Sequence, residues 1–372
     1  MKRWSDDQRI LTALEKLGGN ASAQELSEYI ARSTKNKDGT PKHIPARTIR
    51  YRLSTLIERG ILLPSYLESD ERKVGLGEGI LLLQEKPESG IVLDGLLDKI
   101  PIFHWYVPTN GKYDGYLVHV AYDLSMPEMM DKMVAAMKKN GIIDSSMFFD
   151  IVDYDSKRVD FTRYKPGTGW SCKWKEWKKS VEQNIEQKAG SPFNLIDSHD
   201  VIEYDSKDIL ILRALREDPE TSMTSLSSIT KLPLTGVRER IHKLRKMGVI
   251  KGSSRAYGFS GDFLWFSLFM RVKDNVGAIL KSIHDLPFPG IVLMMDTHNY
   301  CVRFGLTTSD LKQFMDGVRL FRPHLESYFF QFHLPDRVES KYPEIFNFYN
   351  SEEDRWDIPV DDYLKTIEQY GK

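Results

Sequence analysis

The segment "TGVRERIHKLRKMGVIKG" (Thr235–Gly252) decides the fold, because its apolar residues return at helical spacing within a basic sequence. Val237, Ile241 and Leu244 fall at i, i+4 and i+7, which places them on one face of a helix. Gly248 supplies the residue with which helices commonly end. The segment therefore predicts an amphipathic helix with a buried apolar face and an exposed basic face.

The same pattern occurs earlier in the chain, in "RTIRYRLSTLIERGILLP" (Arg47–Pro64). Upstream, "ILTALEK" (Ile10–Lys16) corresponds to "ILRALRE" (Ile211–Glu217), and "SAQELS" (22–27) corresponds to "SMTSLS" (222–227). The last two segments begin with a serine that can cap a short helix. We call the earlier repeat copy one and the later repeat copy two. A helix, a capped short helix and a basic helix in this order predict a helix–turn–helix whose third helix recognises DNA.

The segments after the two basic helices, "SYLESDERKVG" and "KGSSRAYG", are predicted to form wing hairpins. Copy one differs by an insertion around "TKNKDGTPKHIP" (Thr34–Pro45), whose Gly and Pro residues indicate a longer loop before its basic helix.

Downstream, copy two continues with "FLWFSLFMRVKD", "VGAILKSIHDLP", "GIVLMMD", "YCVRFGLTT", "DLKQFMDGVRLF" and "SYFFQFHL". These segments alternate as strand, helix, strand, strand, helix and strand. Copy one offers the same order, with "GIVLDGLLDKI" as its first helix and "SMFFDIVDY" as its last strand. The order βαββαβ is that of a ferredoxin-like unit. The predicted class is α+β, with two winged helix–turn–helix domains alternating with two ferredoxin-like domains.

The repeat divides the chain into six expected segments. They are a first winged helix–turn–helix (1–74), a first ferredoxin-like domain (75–154), a tail and linker with a Trp-rich helix (155–204), a second winged helix–turn–helix (205–258), a second ferredoxin-like domain (259–335) and a C-terminal tail (336–372). We expect Trp170, Trp174 and Trp177 to pack the Trp-rich helix against the first ferredoxin-like sheet. A contact of this basic helix with nucleic acid or membrane is the alternative.

The segment "DSKDILILRALREDPETSMTSLSSITKLPLTGVRERIHKLRKMGVIKG" (Asp205–Gly252) resembles the DNA-binding domain of Lrp/AsnC transcription regulators. The βαββαβ unit after it resembles the effector-binding and oligomerisation domain of that family. The resemblance covers nearly all of the chain, and copy two is covered better than copy one. It implies sequence-specific binding to double-stranded DNA and association of chains through the ferredoxin-like sheets. Family members usually carry one copy per chain and dimerise, whereas this chain carries two.

The segment "TNGKYDGYLVHV" in copy one looks like the loop at which members of this family bind an amino-acid effector. The resemblance assigns Gly111, Tyr113 and Asp114 to such a site. A plain hairpin loop is the alternative for the same residues. In copy two the corresponding loop, "DTHNYCVRF", lacks the glycine, so the resemblance does not extend effector binding there.

The exposed face of each basic helix supplies the candidate DNA-binding residues, because residues near the start of a recognition helix reach base edges. Arginine can pair with guanine through two hydrogen bonds, and histidine can donate or accept one. The candidates are Lys42, Arg47, Thr48, Arg50, Tyr51, Ser54, Thr235, Gly236, Arg238, Glu239, His242, Lys243, Lys251 and Arg255. A solvated helix face is the alternative for this set. Arg52 and Arg240 lie beside the apolar stripe, where a structural ion pair or a phosphate contact is expected.

The expected wings differ in charge between the copies. The wing of copy two offers Lys251 and Arg255 to phosphates, whereas that of copy one carries Glu68, Asp70 and Glu71. Because phosphate neutralisation dominates affinity for DNA, we expect copy two to supply most of the non-specific affinity.

The formal net charge of −1 means that any affinity for nucleic acid must come from local patches. Cys172 and Cys301 have no metal-ligand spacing, and no phosphate-binding loop or zinc motif is present, so neither a metal nor a cofactor is expected. The chain begins without an apolar leader and contains no apolar run of membrane length. These features favour a cytoplasmic protein.

Two alternatives to a regulator stay open. Some Lrp-like proteins decarboxylate siroheme in haem biosynthesis, using histidine and arginine near the sheets, and His104, His119 and Arg303 would be the candidates here. A plain pair of buried histidines is the other interpretation of His104 and His119, which lie on neighbouring predicted strands. An interaction adaptor with inert winged helices is the second alternative. The basic helix in both copies favours a DNA-binding regulator without enzymatic activity.

Overall fold

The structure is a computed structural model that describes residues 2–35, 39–87, 93–165, 169–258, 263–334 and 341–371. The elements of copy one and its tail are α1 (Lys2–Leu17), α2 (Ala23–Ser33), α3 (Ala46–Glu58), β1 (Leu62–Ser69), β2 (Leu76–Glu85), α4 (Leu93–Leu97), β3 (Trp105–Gly111), β4 (Gly115–Asp123), α5 (Met129–Lys139), β5 (Ile143–Ile151), β6 (Asp153–Lys157), β7 (Tyr164–Lys165), β8 (Gly169–Trp170) and α6 (Trp174–Glu186).

Copy two follows with the same order of elements, except that β6 has no counterpart among its described residues. They are α7 (Ser206–Glu217), α8 (Met223–Thr230), α9 (Leu234–Lys246), β9 (Ile250–Tyr257), β10 (Phe263–Val272), α10 (Val276–His284), β11 (Gly290–Met294), β12 (Asn299–Thr307), α11 (Thr308–Phe321), β13 (Leu325–His333), β14 (Tyr349–Asn350), β15 (Arg355–Trp356) and α12 (Val360–Tyr370). Among these described helices, none combines the length and the apolar character needed to cross a membrane.

Parts of three expectations lie outside the described residues. They are positions 36–38 of the copy-one insertion, the first residues of the helix expected over "GIVLDGLLDKI", and the domain boundaries placed after residues 258 and 335.

The helix–turn–helix units form as the sequence predicts. Ser22 accepts a hydrogen bond from the backbone N–H of Glu25 and begins α2, and Ser222 begins α8 in the same way with Ser225. The recognition helices α3 and α9 bury their apolar stripes, and Gly248 follows α9 in a left-handed conformation with φ of 77°. A residue with a Cβ would be strained there.

The ferredoxin-like units join into one nine-stranded sheet with the order β5-β2-β4-β3-β13-β10-β12-β11-β6. Each unit contributes four antiparallel strands in the same relative order. Only Val152 separates β5 from β6, although the two strands stand at opposite ends of the order. The sheet therefore folds back on itself, and the two units face each other with the rings of Phe149 and Phe269 stacked at 5.0 Å.

The predicted wing hairpins are not formed, and this prediction is corrected. β1 of copy one pairs antiparallel with β9 of copy two, with Tyr66 opposite Ser254 and Leu67 opposite Ser253. An unpaired strand edge leaves backbone N–H and C=O groups without partners. Each wing strand satisfies these groups on its counterpart in the other copy, so this β1–β9 ribbon connects the two helix–turn–helix units.

The Trp-rich helix α6 packs on copy two, which corrects the expectation that it covers the first sheet. Trp177 stacks on Phe314 at 6.0 Å and donates its indole N–H to the carbonyl of Ser282 at 2.7 Å. A Cβ on Gly317 would lie 2.0 Å from the Trp177 ring, so a glycine is required for this close approach. The segment that leads to α6 lies against copy two because β6, which precedes α6 in the chain, pairs with β11. The C-terminal helix α12 packs in turn on α5 of copy one.

The main cores are shared between the copies. One core joins apolar residues of α7 and α9 with those of the copy-one sheet and the C-terminal tail. A second joins α1 and α2 with the copy-one tail and the copy-two sheet. Each helix–turn–helix unit is thus anchored on the ferredoxin-like unit of the other copy.

Candidate nucleic-acid interface and inter-copy polar centre

The recognition helix of copy one exposes most of its predicted contact residues. Arg47, Arg50, Tyr51 and Ser54 are exposed, Tyr51 to 63%, whereas Thr48 is half-buried. Within the described part of the chain, neither Arg47 nor Arg50 forms an ion pair. These side chains are therefore available to a partner. Lys42 differs, because its ammonium lies 3.5 Å from the Asp6 carboxylate.

The recognition helix of copy two presents a comparable face. Thr235, Arg238, Glu239, His242 and Lys243 are exposed. Gly236 is half-buried at the start of the helix. Lys243 donates a hydrogen bond of 2.8 Å to the backbone carbonyl of Glu203, and no carboxylate of the described residues lies within ion-pair distance of its ammonium.

Arg52 and Arg240 make the structural ion pairs that their positions suggest. Arg52 Nη1 lies 2.7 Å from Asp7 Oδ1 on α1. Arg240 Nη1 lies 2.7 Å from Asp205 and 3.0 Å from Asp208 at the start of α7. Each pair ties a recognition helix to the first helix of its own unit.

Lys251 and Arg255 were predicted to lie on a wing and contact DNA. In the structure they form ion pairs with carboxylates of the same chain. Lys251 forms an ion pair with Asp153 on β6. Arg255 donates to the Gly19 carbonyl at 2.7 Å and lies 2.9 Å from the Glu220 carboxylate. Their positions in the β1–β9 ribbon, rather than in hairpins, bring them to these carboxylates.

The predicted effector residues lie in the hairpin between β3 and β4, against β13 of copy two. The Gly111 N–H donates to Asp114 at 3.2 Å, and the Tyr113 N–H donates to Gln331 Oε1 at 3.3 Å. The Gln331 amide donates in turn to the Tyr113 carbonyl and to Thr109. Gln331 of copy two thus forms hydrogen bonds with the N–H and the carbonyl of Tyr113, the backbone groups that an effector at this hairpin would contact.

His104 and His119 of copy one meet Arg303 of copy two between the facing halves of the folded sheet. Arg303 Nη2 lies 2.7 Å from His119 Nε2, and His119 Nδ1 lies 2.9 Å from Glu78 Oε1. Because arginine only donates hydrogen bonds, Nε2 accepts from Arg303 and the Nδ1–H donates to Glu78. Burial, followed by the Arg303 charge, holds the pKa of His119 well below its usual value, so this histidine is neutral.

His104 is buried beside this chain of hydrogen bonds, and neither of its ring nitrogens has a hydrogen-bond partner among the described residues; Nε2 lies 3.8 Å from Glu78 Oε1. Its ring packs edge-on against Tyr342 at 4.6 Å and against His119 at 5.8 Å. Burial lowers the pKa of His104 to about 3. A buried polar group without a partner is uncommon, so His104 marks this region as unusual.

Sequence reasoning missed three further members of the cluster. Ser267 accepts a hydrogen bond from Arg303 Nε at 3.3 Å and lies 2.9 Å from His333 Nε2, while Glu78 ends the chain of bonds on the other side. The strand alternation that directs residues of β2, β10 and β13 inward was the available signal. We call Glu78, His104, His119, Ser267, Arg303 and His333 the polar centre.

The polar centre contains a set of donors that a metal ion could use. Ligand atoms of Glu78, His104 and His119 lie within 4.8 Å of one another. A metal on His119 Nδ1 would move the imidazole proton to Nε2, where the Arg303 N–H already donates. The set therefore does not fit a cation while Arg303 keeps this contact.

Residues 204–251 match the winged helix–turn–helix DNA-binding family. An HTH-type transcriptional regulator from Pyrococcus abyssi is 40% identical over 81 residues, which cover 21% of this chain and 52% of that protein. The chain thus spans about half the length of this curated relative.

Three solved structures match this chain at low identity and with TM-scores below 0.5. The siroheme decarboxylase NirDL has 12% identity and a TM-score of 0.45 over 82% of this chain and 88% of its own. AsnC of E. coli has 15% identity and a TM-score of 0.28 over 37% of this chain and 97% of its own. A Neisseria meningitidis regulator in complex with L-Met has 18% identity and a TM-score of 0.29 over 37% and 94%. Residues 204–251 thus match the winged helix–turn–helix predicted from the sequence, and the structure contains a helix–turn–helix unit followed by a ferredoxin-like unit in each copy.

Proposed function

We propose that the protein is a sequence-specific, DNA-binding transcription regulator of Lrp/AsnC type in which one chain supplies both recognition helices. The observation that carries this proposal is the exposed cationic residues on α3 and α9, on two units connected by the β1–β9 ribbon. The DNA-binding family match over residues 204–251 supports it for copy two. In this proposal the protein acts in the cytoplasm without enzymatic activity, and its domains have the limits expected from the repeat.

The preferred DNA site is expected to be an imperfect palindrome. α3 exposes Arg47, Arg50 and Tyr51, whereas α9 exposes Arg238 and His242, so the two half-sites differ. Half-sites contacted by paired helix–turn–helix units lie about one helical turn apart, or a multiple of it. A perfectly symmetric consensus would indicate instead that two chains pair through like copies.

Selection of bound fragments from a random and a genomic DNA pool tests the proposal. The double variant Arg47→Ala/Arg50→Ala should lose base preference at one half-site, and Arg238→Ala/His242→Ala should lose it at the other. Lys132→Ala/Lys138→Ala removes two exposed cations from α5 and should leave both preferences unchanged. Absence of enrichment by the wild-type protein would contradict the proposal.

Regulation by an amino acid and association of chains through the ferredoxin-like sheets are further parts of the proposal. An amino acid at Gly111, Tyr113 and Asp114 would have to displace the Gln331 amide from Tyr113. Thermal-shift measurements with each amino acid at millimolar concentration test this, because a ligand that binds the folded state raises its melting temperature. Unchanged melting temperatures throughout would contradict an amino-acid effector.

An enzyme of siroheme decarboxylase type is a second candidate, favoured by the polar centre. The chain of hydrogen bonds from Arg303 through His119 to Glu78 brings together a histidine and an arginine, the residue types named for such an enzyme. Titration with a porphyrin tests it. A Soret band shifted by the wild-type protein but not by His119→Ala would support the enzyme, and an unshifted band would exclude it. An adaptor with inert winged helices predicts neither DNA retention nor a shifted band.

A further inference from the structure

A cavity of about 860 Å³ lies beneath the β1–β9 ribbon. Its walls come from the end of α1, from the ribbon, from β6 and from the copy-two sheet, where Trp265 and Arg303 face it. Cavities that hold small ligands commonly have volumes of about 300–1,000 Å³. The cavity is therefore large enough for a small organic molecule.

Arg303 brings an unneutralised charge to this cavity. Its guanidinium contacts the neutral His119 and Ser267 and lies over the Trp105 ring at 5.1 Å. No carboxylate of the described residues comes within ion-pair distance of it. Burial lowers the pKa of Arg303, which shows that its surroundings disfavour the charge. A charge taken out of water is costly unless it is paired.

Lys157 is a second cation of this kind on the cavity wall. It is 4% exposed, and its ammonium donates to the carbonyls of Leu286, Phe288 and Arg158. Among described residues no carboxylate lies within ion-pair distance of Lys157 either. Burial lowers its pKa to about 7. Two cations without an ion pair thus line one cavity, which Glu15, Glu68 and Asp155 also line. The ammonium of Lys157 already uses its three donors on carbonyls, so Arg303 is the cation that an anion can pair with.

The space beside Glu78, near the copy-one sheet, is different. It measures about 20 Å³, and Glu71 and Tyr342 line it. Here the buried Glu71 carboxylate is already paired, because Arg216 Nε lies 2.7 Å from Glu71 Oε1. Beneath the ribbon, by contrast, a space large enough for a ligand is lined by Arg303 and Lys157, neither of which has an ion pair among the described residues.

We propose that the cavity binds a small organic anion whose acidic group pairs with Arg303 and whose apolar body lies between Tyr66, Tyr257 and Trp265. These three rings line the same cavity. In assigning the anion the role of an effector, the inference rests on the proposed regulator function. The cavity touches α1 and the β1–β9 ribbon, so an occupant contacts the elements that set the separation of α3 and α9.

Two matched fluorescent probes test the binding site. 8-Anilinonaphthalene-1-sulfonate is an aromatic anion, and N-phenyl-1-naphthylamine has the same aromatic body without the sulfonate. The wild-type protein should bind the anion with a stoichiometry of one and about tenfold more tightly than the neutral probe, as expected for a hydrogen-bonded charge. Arg303→Met should remove this difference, and Arg303→Lys should retain most of it.

Arg271→Met is the matched control, because Arg271 lies on the same sheet but pairs with Glu326 at the surface. It should bind both probes as the wild type does. Equal affinity of the wild-type protein for the two probes would overturn the proposal, even if Arg303→Met failed to fold. An unchanged preference in a folded Arg303→Met variant would overturn it as well.

DNA binding separates this inference from the proposed function. The anionic probe should change the affinity of the wild-type protein for its selected DNA at least about threefold and leave that of Arg303→Met unchanged. Probe binding without any DNA binding would contradict the proposed regulator function and would still support the anion-binding site. Probe binding with unchanged DNA affinity would overturn the effector role.

Discussion

The two ferredoxin-like units carry different residues at equivalent positions. His119 of β4 lies opposite Ile80 of β2, and Arg303 of β12 lies opposite Ser267 of β10, so His119 and Arg303 are counterparts. The two side chains also contact each other between the sheets. In a symmetric dimer, a residue at this place would meet its own copy. Duplication within one chain permits arginine to face histidine here, which a homodimer with one residue type at this position could not provide.

The first helices of the two helix–turn–helix units differ in the same way. Glu15 of α1 corresponds to Arg216 of α7 in the aligned segments. Glu15 accepts hydrogen bonds from the Tyr257 hydroxyl and the Val159 N–H, whereas Arg216 forms a two-pronged ion pair with Glu71. The same helix position therefore carries opposite charges, because Glu15 faces hydrogen-bond donors and Arg216 faces a carboxylate.

The largest expected effect comes from Arg216→Met. The variant leaves the buried Glu71 without its cation, so the free energy of unfolding should fall by about 3–5 kcal/mol. Denaturant titration at pH 7 measures this. Arg213→Met on the same helix removes only an exposed pair with Glu217 and should cost less than about 0.5 kcal/mol. If both variants lost the same free energy of unfolding, the buried Arg216–Glu71 pair would be no more stabilising than the exposed Arg213–Glu217 pair.

Acid should reduce the difference between Arg216→Met and the wild type. Despite the opposing effect of burial, the Arg216 charge and hydrogen bonds leave the pKa of Glu71 below its ordinary value of 4.5. This stabilisation is complete above pH 4.5 and is lost as the pH falls through the lower pKa of the folded state. A difference that stays constant down to pH 3 would contradict this account.

The next effect concerns DNA. Arg238→Ala/Lys243→Ala should weaken binding to all sequences and reduce the slope of affinity against salt by up to about two, because each lost phosphate contact removes about 0.9. Binding titrations at several salt concentrations measure the slope. Arg47→Ala/Arg50→Ala should reduce it less if copy two supplies most of the non-specific affinity. Equal slopes for the two variants would contradict this division between the copies.

A smaller effect is expected at Glu15, with the opposite pH dependence to Glu71. Burial is the largest influence and raises the pKa of Glu15, although its hydrogen bonds oppose it. The folded state therefore binds this proton more tightly than the unfolded state. Stability from this group is full below pH 4.5 and falls as the pH rises through the raised pKa. Glu15→Gln should become more stable relative to the wild type over this rise, and a constant difference in denaturant titrations would contradict the assignment.

The smallest effect is expected for Lys251→Ala/Arg255→Ala. Because both cations already face carboxylates at partly exposed sites, the salt slope of DNA binding should stay unchanged, and stability should fall by about 1 kcal/mol or less for each pair. The same salt titrations check this. A salt slope reduced by about two would indicate instead that Lys251 and Arg255 contact DNA phosphates.

Local sequence signals predicted the parts of the candidate sites that depend on one element. The apolar spacing of Val237, Ile241 and Leu244 identified both the buried stripe of α9 and its exposed face. The serines before α2 and α8 predicted where those helices begin. The polar centre was only partly predictable, because His104, His119 and Arg303 could be named as candidates without their distances. Glu78, Ser267 and His333 carried no signal beyond strand alternation.

The sequence by itself determined the duplication, the order of helices and strands in each copy, and the faces that these elements bury. Only the tertiary structure decided that β1 pairs with β9, that α6 packs on copy two, and that His119 meets Arg303. The physical reason is that periodicity depends on residues close together in the chain, and it specifies which side of an element turns inward. The surface that this side meets depends on the competition among all strand edges and apolar faces brought near it by the folded chain.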